Sequence, residues 1–353
     1  MNTIEPTPGY NVPAVEAWIA SRVTGLTPPL TWTRLQGGHS NLTYRVEDAQ
    51  GRQAVIRRPP QGELLPKAHD MAREWALIRA LADTPVPVPA ALGFCEDVSV
   101  TGAPFYLMGL IDGQPLYTAD EARARVPEAQ REGLAHSFID VLADLHSVDP
   151  DAVGLGDLGS KAGYVARQLK TWYRSWTASI EAARYDDPRA HALQRFFLDN
   201  LPEQGPARVV HGDYGMHNCL VGAQSTVVAV VDWEISTLGD PLADLAYALN
   251  HWPDPDDILP ISDSAPTSLP GFPQRGALAQ RYAQRTGRDL SQLDFYLGFN
   301  RWKTAAILHG VYARYMAGNK SSEGVDLDLL RSRIGDALIL AEQAVGRLPV
   351  RRG

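Results

Sequence analysis

Cysteine is scarce in this chain, and long apolar runs are absent. The 353 residues include two cysteines, Cys95 and Cys219, which excludes a disulfide framework and is typical of a protein of the reducing cytosol. No stretch reaches the length that a membrane-spanning helix needs, so we expect no membrane association. The N-terminus lacks a basic segment followed by an apolar run, and we therefore expect no signal peptide and a cytoplasmic location.

Basic residues are also fewer than acidic ones, 33 against 41. The formal net charge is −8, which argues against nucleic acid as a main partner because phosphate backbones require a basic face. The hydrophobic fraction of 44% and the charged fraction of 21% are ordinary for a globular protein. The length exceeds what one core usually holds, so we expect two lobes.

The first third of the chain has the alternation of antiparallel strands together with one helical pattern. Turn residues separate the two halves of a hairpin, and a Pro-rich segment must end the helix. This pattern predicts a small α+β lobe that closes at Asp112. Its predicted elements are a hairpin over Leu30 to Val46, a strand over Gln53 to Arg57, a helix over Ala68 to Ala82, and strands over Ala90 to Phe94 and Phe105 to Ile111.

The remainder is mostly helical in pattern, with apolar residues at three- and four-residue spacing. The stretch from Arg208 to Trp233 is the exception, because it contains three short β-type runs. The segment from Asp254 to Pro273 is rich in Pro, Asp and Ser and predicts a loop, in which Asp254, Asp256 and Asp257 are expected to be solvated.

Two chemistries compete for the loop between the first two of those runs. His211, Asp213 and His217 could bind a transition metal in a hydrolase, with His251 and His309 as further ligands. Alternatively, Asp213 and Asn218 could serve a magnesium-dependent phosphoryl transfer, which requires a carboxylate at the attacking hydroxyl and oxygen ligands for the metal. Asp232 stands directly after the third run, where a second metal-binding carboxylate is needed.

These residues carry a family resemblance. His211, Asp213 and Asn218, followed by Asp232 and Glu234, resemble the aminoglycoside-phosphotransferase and choline-kinase branch of the protein-kinase-like fold. The stretches from Asp232 to Tyr247 and from Ile307 to Tyr315 are similar to one subgroup, the kinase-like domains fused to acyl-CoA dehydrogenases.

The resemblance implies an α+β, bilobal, protein-kinase-like fold with a small antiparallel-sheet lobe carrying one helix and a larger, mainly helical lobe. Residues 1–111 would bind the nucleotide, with a hinge at about 108–113. Residues 112–353 would hold the catalytic loop and the acceptor. The implied activity is an ATP- and Mg²⁺-dependent transfer, with GTP as the alternative donor, to a hydroxyl of a small molecule, for which a hydroxy acid or hydroxyacyl-CoA is a candidate.

The resemblance also implies roles for single residues. Asp213 would be the catalytic base, and Asn218 and Asp232 would hold Mg²⁺. Arg57 stands where protein kinases have a strand lysine, and its planar fork suits phosphate oxygens. The residues implied in nucleotide binding are Gly37, Gly38, Ser40, Val55, Arg57, Glu74, Met108, Gly109 and Ile111.

Other residues have open or structural interpretations. His211 is expected to brace the loop, Asp240 and Asp244 to brace it and to cap the next helix, and Glu234 to lie near the metal or cap a turn. His217 departs from the family pattern. A nucleotide-binding protein without catalysis is a third hypothesis, disfavoured because the catalytic positions are filled. Arg301, Lys303 and Arg314 are candidates for binding an anionic acceptor or are surface charges.

Overall fold

A five-stranded antiparallel sheet forms the smaller part of the molecule. The computed structural model describes residues 7–35, 41–61, 70–319 and 324–348. Within them the strand order is β1-β2-β3-β5-β4. The strands are β1 (Thr31–Arg34), β2 (Leu42–Glu47), β3 (Gln53–Arg58), β4 (Ala91–Cys95) and β5 (Phe105–Gly109). All five were predicted, and the predicted fold class is confirmed.

The two faces of this sheet pack against different helices. Alternation along β3 places Ile56 on the face covered by α1 (Val12–Arg22). Val55, on the opposite face, joins the core with α2 (Met71–Leu81). Arg57 shares the face of Val55, and Arg58 is on the face of Ile56. The sequence predicts α2 but not α1, which buries only Val15 and Ile19 and so has a weak periodic pattern.

The larger part is helical. Its long central helix α9 packs against α5 and α10, and the core continues from there to the sheet. The helices are α3 (Ala119–Arg125), α4 (Glu128–Leu145), α5 (Tyr164–Ala183), α6 (Pro188–Asp199), α7 (Pro241–Leu249), α8 (Arg275–Thr286), α9 (Leu293–Met316) and α10 (Leu327–Gly346). None of the helices within the described residues is long and apolar enough to cross a membrane.

Two short ladders interrupt the helical part and frame one loop. β6 (Arg208–Val210) pairs with β9 (Thr237–Gly239), and β7 (Cys219–Val221) pairs with β8 (Val227–Val230). The three runs predicted from the sequence are confirmed as β6, β7 and β8. Because β6 ends at residue 210 and β7 begins at 219, the intervening loop is fixed at both ends.

Polar side chains join α9 to α7 through an apolar interface. Asn300 is buried, and its amide donates to the Ala243 carbonyl at 2.8 Å. The Tyr296 hydroxyl donates to Asp240 Oδ2 at 2.7 Å. These bonds fix the register of α9 against α7, from which two residues reach the loop after β6.

We expect Asn300→Ala to lower the free energy of unfolding by about 1–3 kcal/mol, because the buried Ala243 carbonyl would lose its cross-helix donor. Urea unfolding followed by circular dichroism measures the change. Asn319→Ala, at an exposed position after α9, is the matched control and should change the stability by less than about 0.5 kcal/mol. Equal effects of the two substitutions would contradict the role given to Asn300.

Candidate active site

The loop after β6 is held from behind by Asp244 on α7. Asp244 accepts hydrogen bonds from the backbone N–H groups of His211 at 2.7 Å and Gly212 at 2.8 Å, and lies 3.2 Å from His146 Nε2. Gly212 has a φ of +85°, a conformation that favours glycine. Burial would raise the pKa of Asp244, but its contacts with His146 and with the loop hold it below its ordinary value. The expected bracing by Asp244 is present, and Asp240 caps α7 through the Leu242 N–H.

Asp213 projects from this loop with both carboxylate oxygens contacted. The Tyr247 hydroxyl donates to Oδ1. Oδ2 accepts from Asn218 Nδ2 at 3.1 Å and lies 3.4 Å from His217 Nε2. Burial would raise the pKa of Asp213, but the contacts with His217 and Tyr247 more than offset it, so the pKa lies well below its ordinary value. Asp213 is therefore a carboxylate at neutral pH.

The ring of His217 folds back over its own loop. A Cβ on Gly215 would lie only 2.4 Å from His217 Cε1, so this ring position depends on glycine two residues before it. One third of the His217 side chain is exposed, and it faces two cavities. The residue that departs from the family pattern thus contacts Asp213 directly.

Asp232 and Arg57 connect the two parts of the molecule. Arg57 Nη2 lies 2.5 Å from Asp232 Oδ1, and Arg57 Nε lies 3.2 Å from Glu74 Oε2 on α2. Burial would lower the pKa of Arg57, but the carboxylates of Glu74 and Asp232 raise it further than burial lowers it. Asp232 has a φ of +66°, an uncommon conformation for a residue with a side chain and one that clusters at functional sites. The predicted pair of Arg57 with Glu74 is present.

Further contacts support Glu74. The Tyr106 hydroxyl donates to its Oε2 at 2.9 Å. Asn41 Nδ2 lies 3.5 Å from Glu74 Oε1 and 3.3 Å from Glu234 Oε2, so the amide bridges α2 and the segment after Asp232. Arg73, also on α2, donates to the Ser236 carbonyl at 2.9 Å. The position of α2 is therefore set by contacts with the larger part.

A cavity of about 260 Å³ lies between the sheet and the loop. Val55, Arg57, Met108, Gly109 and Ile111 line it from the sheet side, and Asn218 and Asp232 line it from the other side. The predicted nucleotide-binding residues on β3, on β5 and just after β5 are thus brought together with the predicted metal ligands. The Glu74 side chain lies behind Arg57 and does not line the cavity.

In the predicted hinge segment, at about 108–113, one backbone N–H already donates a hydrogen bond. The Gly109 N–H donates to the Ala90 carbonyl at 2.8 Å, so only the carbonyl of Gly109 could contact a ligand. The Ile111 carbonyl accepts from the Gly113 N–H at 3.0 Å, so its contribution would be the N–H. The predicted residues Gly37, Gly38 and Ser40 lie outside the residues that the structure describes.

A second cavity of about 340 Å³ adjoins the first. Tyr117 and His217 line both, so these two side chains form a common wall. None of the described residues that line the second cavity is acidic. Its polar lining residues are Tyr117, His217, His251, Ser262, Ser264, Thr267 and Arg333.

The transition-metal hypothesis is not supported by the histidines. His211 Nε2 lies 3.0 Å from the Val231 carbonyl, and its Nδ1 accepts from the Asp213 N–H at 3.3 Å, so both ring nitrogens are occupied. His309 stacks on Trp176 at 4.0 Å, in the helical core. Within the described ranges, no group of three or more His, Cys, Asp or Glu side chains could hold a metal ion.

The three candidate cations for an anionic acceptor lie in different surroundings. Arg314 is exposed. Arg301 lies 3.6 Å from Asp257, which also pairs with Arg275 at 2.7 Å. Because the Asp257 side chain is only 5% exposed in this cluster, the prediction that Asp254, Asp256 and Asp257 are solvated is wrong for Asp257. Lys303 is buried beside the ring of Tyr247.

Two residues of the site were not assigned roles from the sequence. Tyr247 stands three residues after Asp244 on α7, and this spacing places both on one helix face. The spacing could therefore have indicated that Tyr247 also faces the loop. Asn41 follows the hairpin turn, and its two carboxylate partners are distant in sequence, so no local pattern predicts it.

Comparison with known proteins agrees with this geometry. Residues 31–296 match the family model described as "Phosphotransferase enzyme family". Acyl-CoA dehydrogenase family member 10 of Mus musculus is 36% identical over 304 residues, which cover 85% of this chain and 28% of that protein. The chain spans 28% to 42% of the length of the acyl-CoA dehydrogenase family members 10 and 11 that it matches.

Solved structures share the fold. A protein from Ralstonia eutropha, provisionally described as an aminoglycoside phosphotransferase, is 30% identical with a TM-score of 0.80, and the match covers 95% of this chain and 99% of that one. The ADP-bound aminoglycoside phosphotransferase APH(2'')-Ib has the same fold at 16% identity and a TM-score of 0.56, with 95% and 99% of the two chains covered.

We expect Asp244→Asn to lower the free energy of unfolding by about 1–3 kcal/mol, because one amide oxygen cannot accept all the bonds that the carboxylate accepts. Hydrogen exchange at the His211 and Gly212 amides should become faster. Urea unfolding and exchange mass spectrometry measure the two effects. Asp157→Asn, at an exposed position, is the control.

The pH dependence gives a second check on Asp244. The folded-state pKa lies below the ordinary value of 3.8, so the carboxylate stabilises the fold above pH 3.8, and this contribution is lost as the pH falls through the folded pKa. The stability difference between wild type and Asp244→Asn should therefore shrink below pH 3.8. A difference that stays constant down to pH 2 would show that the charge is not responsible.

Proposed function

Because the chain belongs to the phosphotransferase enzyme family, and is thus a small-molecule phosphotransferase, we propose that it is an ATP- and Mg²⁺-dependent kinase. The acceptor is a hydroxyl group of a small molecule. The observation that carries this proposal is the convergence of Asn218, Asp232 and Arg57 on one cavity, together with the hydrogen bond that Asn218 donates to Asp213. Residues 1–111 and 112–353 form the two lobes, with the hinge at about 108–113.

The nucleotide occupies the cavity between the lobes. The Gly109 carbonyl and the Ile111 N–H face the adenine edge, and Val55 and Met108 contact its rings. Arg57 binds phosphate oxygens and is held in place by Glu74. ADP in the related APH(2'')-Ib structure supports a nucleotide in this fold. The turn containing Gly37, Gly38 and Ser40 is proposed to cover the phosphates.

The donor atoms present fit a magnesium ion. The Asn218 amide nitrogen is committed to Asp213, so its Oδ1 is the atom that can act as a ligand, and Asp232 supplies a carboxylate. Hard oxygen ligands of this kind suit Mg²⁺, which would offset the charge of the phosphates when bound.

Asp213 orients the acceptor hydroxyl and receives its proton. The acceptor oxygen forms a bond to the γ-phosphorus, the bond from that phosphorus to the β–γ bridging oxygen breaks, and ADP leaves. Oδ1 accepts from Tyr247, and Oδ2 accepts from Asn218 and lies beside His217; we assign the acceptor hydroxyl to the remaining lone pair of Oδ2. Because the pKa of Asp213 lies well below its ordinary value, the carboxylate remains ionised and acts mainly by positioning the hydroxyl, as a loose transition state permits.

The acceptor occupies the second cavity. Its wall is shared with the nucleotide cavity, which supports phosphoryl transfer from one to the other past His217. A polycationic aminoglycoside needs acidic partners, whereas the described lining residues offer hydroxyls, imidazoles and Arg333. We therefore assign a neutral or anionic acceptor. A hydroxy acid or hydroxyacyl-CoA agrees with the similarity to acyl-CoA dehydrogenase family members.

Asp213→Asn should reduce ADP formation from MgATP at least about 100-fold while leaving the Kd for ATP within threefold, because the nucleotide contacts lie on other residues. A coupled ADP assay and titration calorimetry measure the two quantities. Asp157→Asn should leave both unchanged. Undiminished ADP formation by Asp213→Asn would remove Asp213 from the mechanism.

A panel of hydroxy acids, hydroxyacyl-CoAs and aminoglycosides tests the acceptor class. We expect phosphate transfer from labelled ATP to members of the first two groups and none to aminoglycosides. Arg333→Glu should raise the KM for an anionic acceptor about tenfold and leave the KM for ATP unchanged, because Arg333 lines only the second cavity. Arg195→Glu, at an exposed position on α6, is the matched control. Phosphorylation of aminoglycosides alone would overturn the assignment.

A further inference from the structure

Lys303 is a buried cation without an ordinary partner. It is 7% exposed, and within the residues that the structure describes it forms no hydrogen bond and no ion pair. Its Nζ lies 5.3 Å from the centre of the Tyr247 ring, within the range of a cation–π contact. A buried ammonium is costly unless something compensates for its lost hydration. The contact with the Tyr247 ring offsets part of that cost.

The surroundings of Lys303 lead to the candidate catalytic residue. The Tyr247 ring beneath its ammonium carries the hydroxyl that donates to Asp213 Oδ1. The edge of the same ring meets His251, with the ring centres 5.3 Å apart. Burial lowers the pKa of Lys303, and the carboxylates of Asp244 and Asp213 act in the opposite direction. Asp244 holds the loop after β6, and Asp213 projects from that loop.

The framework around this contact is rigid. Lys303 and Asn300 are one turn apart on α9, and Asn300 is bonded to the Ala243 carbonyl on α7. Tyr247 is one turn beyond Ala243 on α7. The distance between Lys303 and Tyr247 is therefore set by the packing of two helices, and a rotation of Tyr247 away from Asp213 would break the contact with the ammonium.

Two other roles for Lys303 agree less well with the structure. Lys303 is only 7% exposed, which leaves little of its surface for a direct contact with an anionic acceptor. A purely packing role would be served better by methionine, which has a similar length and no charge to desolvate.

We propose that Lys303 is a positioning residue for Asp213: its ammonium holds the Tyr247 ring so that the hydroxyl stays on Asp213 Oδ1 and Oδ2 is directed toward the acceptor. This inference rests on the proposed function of Asp213, and it adds two residues, Lys303 and Tyr247, to the machinery of phosphoryl transfer.

The test compares Lys303→Met, Lys303→Arg, Tyr247→Phe and the double variant Lys303→Met/Tyr247→Phe in the full chain. ADP formation from MgATP gives kcat and the KM for ATP, and a thermal melt gives Tm. We expect Lys303→Met to lower kcat about tenfold with the KM for ATP within twofold, and to leave Tm unchanged or higher. Lys303→Arg should retain kcat within about threefold, since arginine keeps the charge and stacks on aromatic rings.

The kcat of the double variant tests whether Lys303 acts through Tyr247. The double variant should be no slower than Tyr247→Phe alone, because the ammonium has nothing left to position once the hydroxyl is removed. Arg195→Met, which removes an exposed cation from α6, is the control and should match wild type. Independent, multiplying losses in the double variant, or a Lys303→Met enzyme that is as active as wild type, would overturn the proposal.

A structural readout separates this proposal from the proposed function. In a crystal structure of Lys303→Met, the Tyr247 hydroxyl should have left hydrogen-bonding distance of Asp213 Oδ1. If it remains there, the positioning role is wrong whatever the enzyme's activity. The proposed function fails if wild type forms no ADP, or if Asp213→Asn forms ADP as fast as wild type. In either case the crystal structure still decides whether Lys303 positions Tyr247.

Discussion

The conformation of the loop that carries Asp213 depends on one carboxylate, Asp244, which lines neither of the two cavities. Asp244 binds the two backbone N–H groups immediately before Asp213, and its contact with His146 holds it in place from the helical core. A loop of eight residues between two strands would otherwise have many conformations. Because the bonds go to the backbone, the direction of the Asp213 side chain is fixed by α7.

The second constraint is the network that joins the lobes. Arg57, from the sheet, is shared between Glu74 and Asp232, which come from the two lobes, and Asn41 bridges Glu74 and Glu234. Charges buried in this way stabilise a fold only when each has a partner. A nucleotide phosphate that binds Arg57 must compete with Asp232 for the guanidinium, so binding and the separation of Arg57 from Asp232 are coupled. If Arg57 binds the phosphates as proposed, the charges of this network would link nucleotide binding to the position of α2.

Residues in local patterns were predictable, and residues defined by distant partners were not. Alternation in β3 predicted the faces of Val55 and Arg57, and the motif of Asp213, Asn218 and Asp232 identified residues that the fold brings close together. Lys303 lies in a helix that is buried on most sides, so its periodicity carries no information about what its charge faces. His217 was recognised as a departure, but its contact with Asp213 depends on the space left by Gly215, which only the folded backbone reveals. The hydrogen bond from the Gly109 N–H to the Ala90 carbonyl likewise depends on tertiary structure and has no local sequence signal.

The wall made by Tyr117 and His217 has a consequence for inhibition. Among the described residues, these two line both cavities, so under the proposed function a single molecule could join an adenosine analogue to an acceptor analogue across them. The two halves of such a bisubstrate compound would bind with a high effective concentration for each other. If the second cavity holds the acceptor as proposed, its lack of acidic lining among the described residues would let such a compound discriminate between this protein and enzymes that bind polycationic antibiotics.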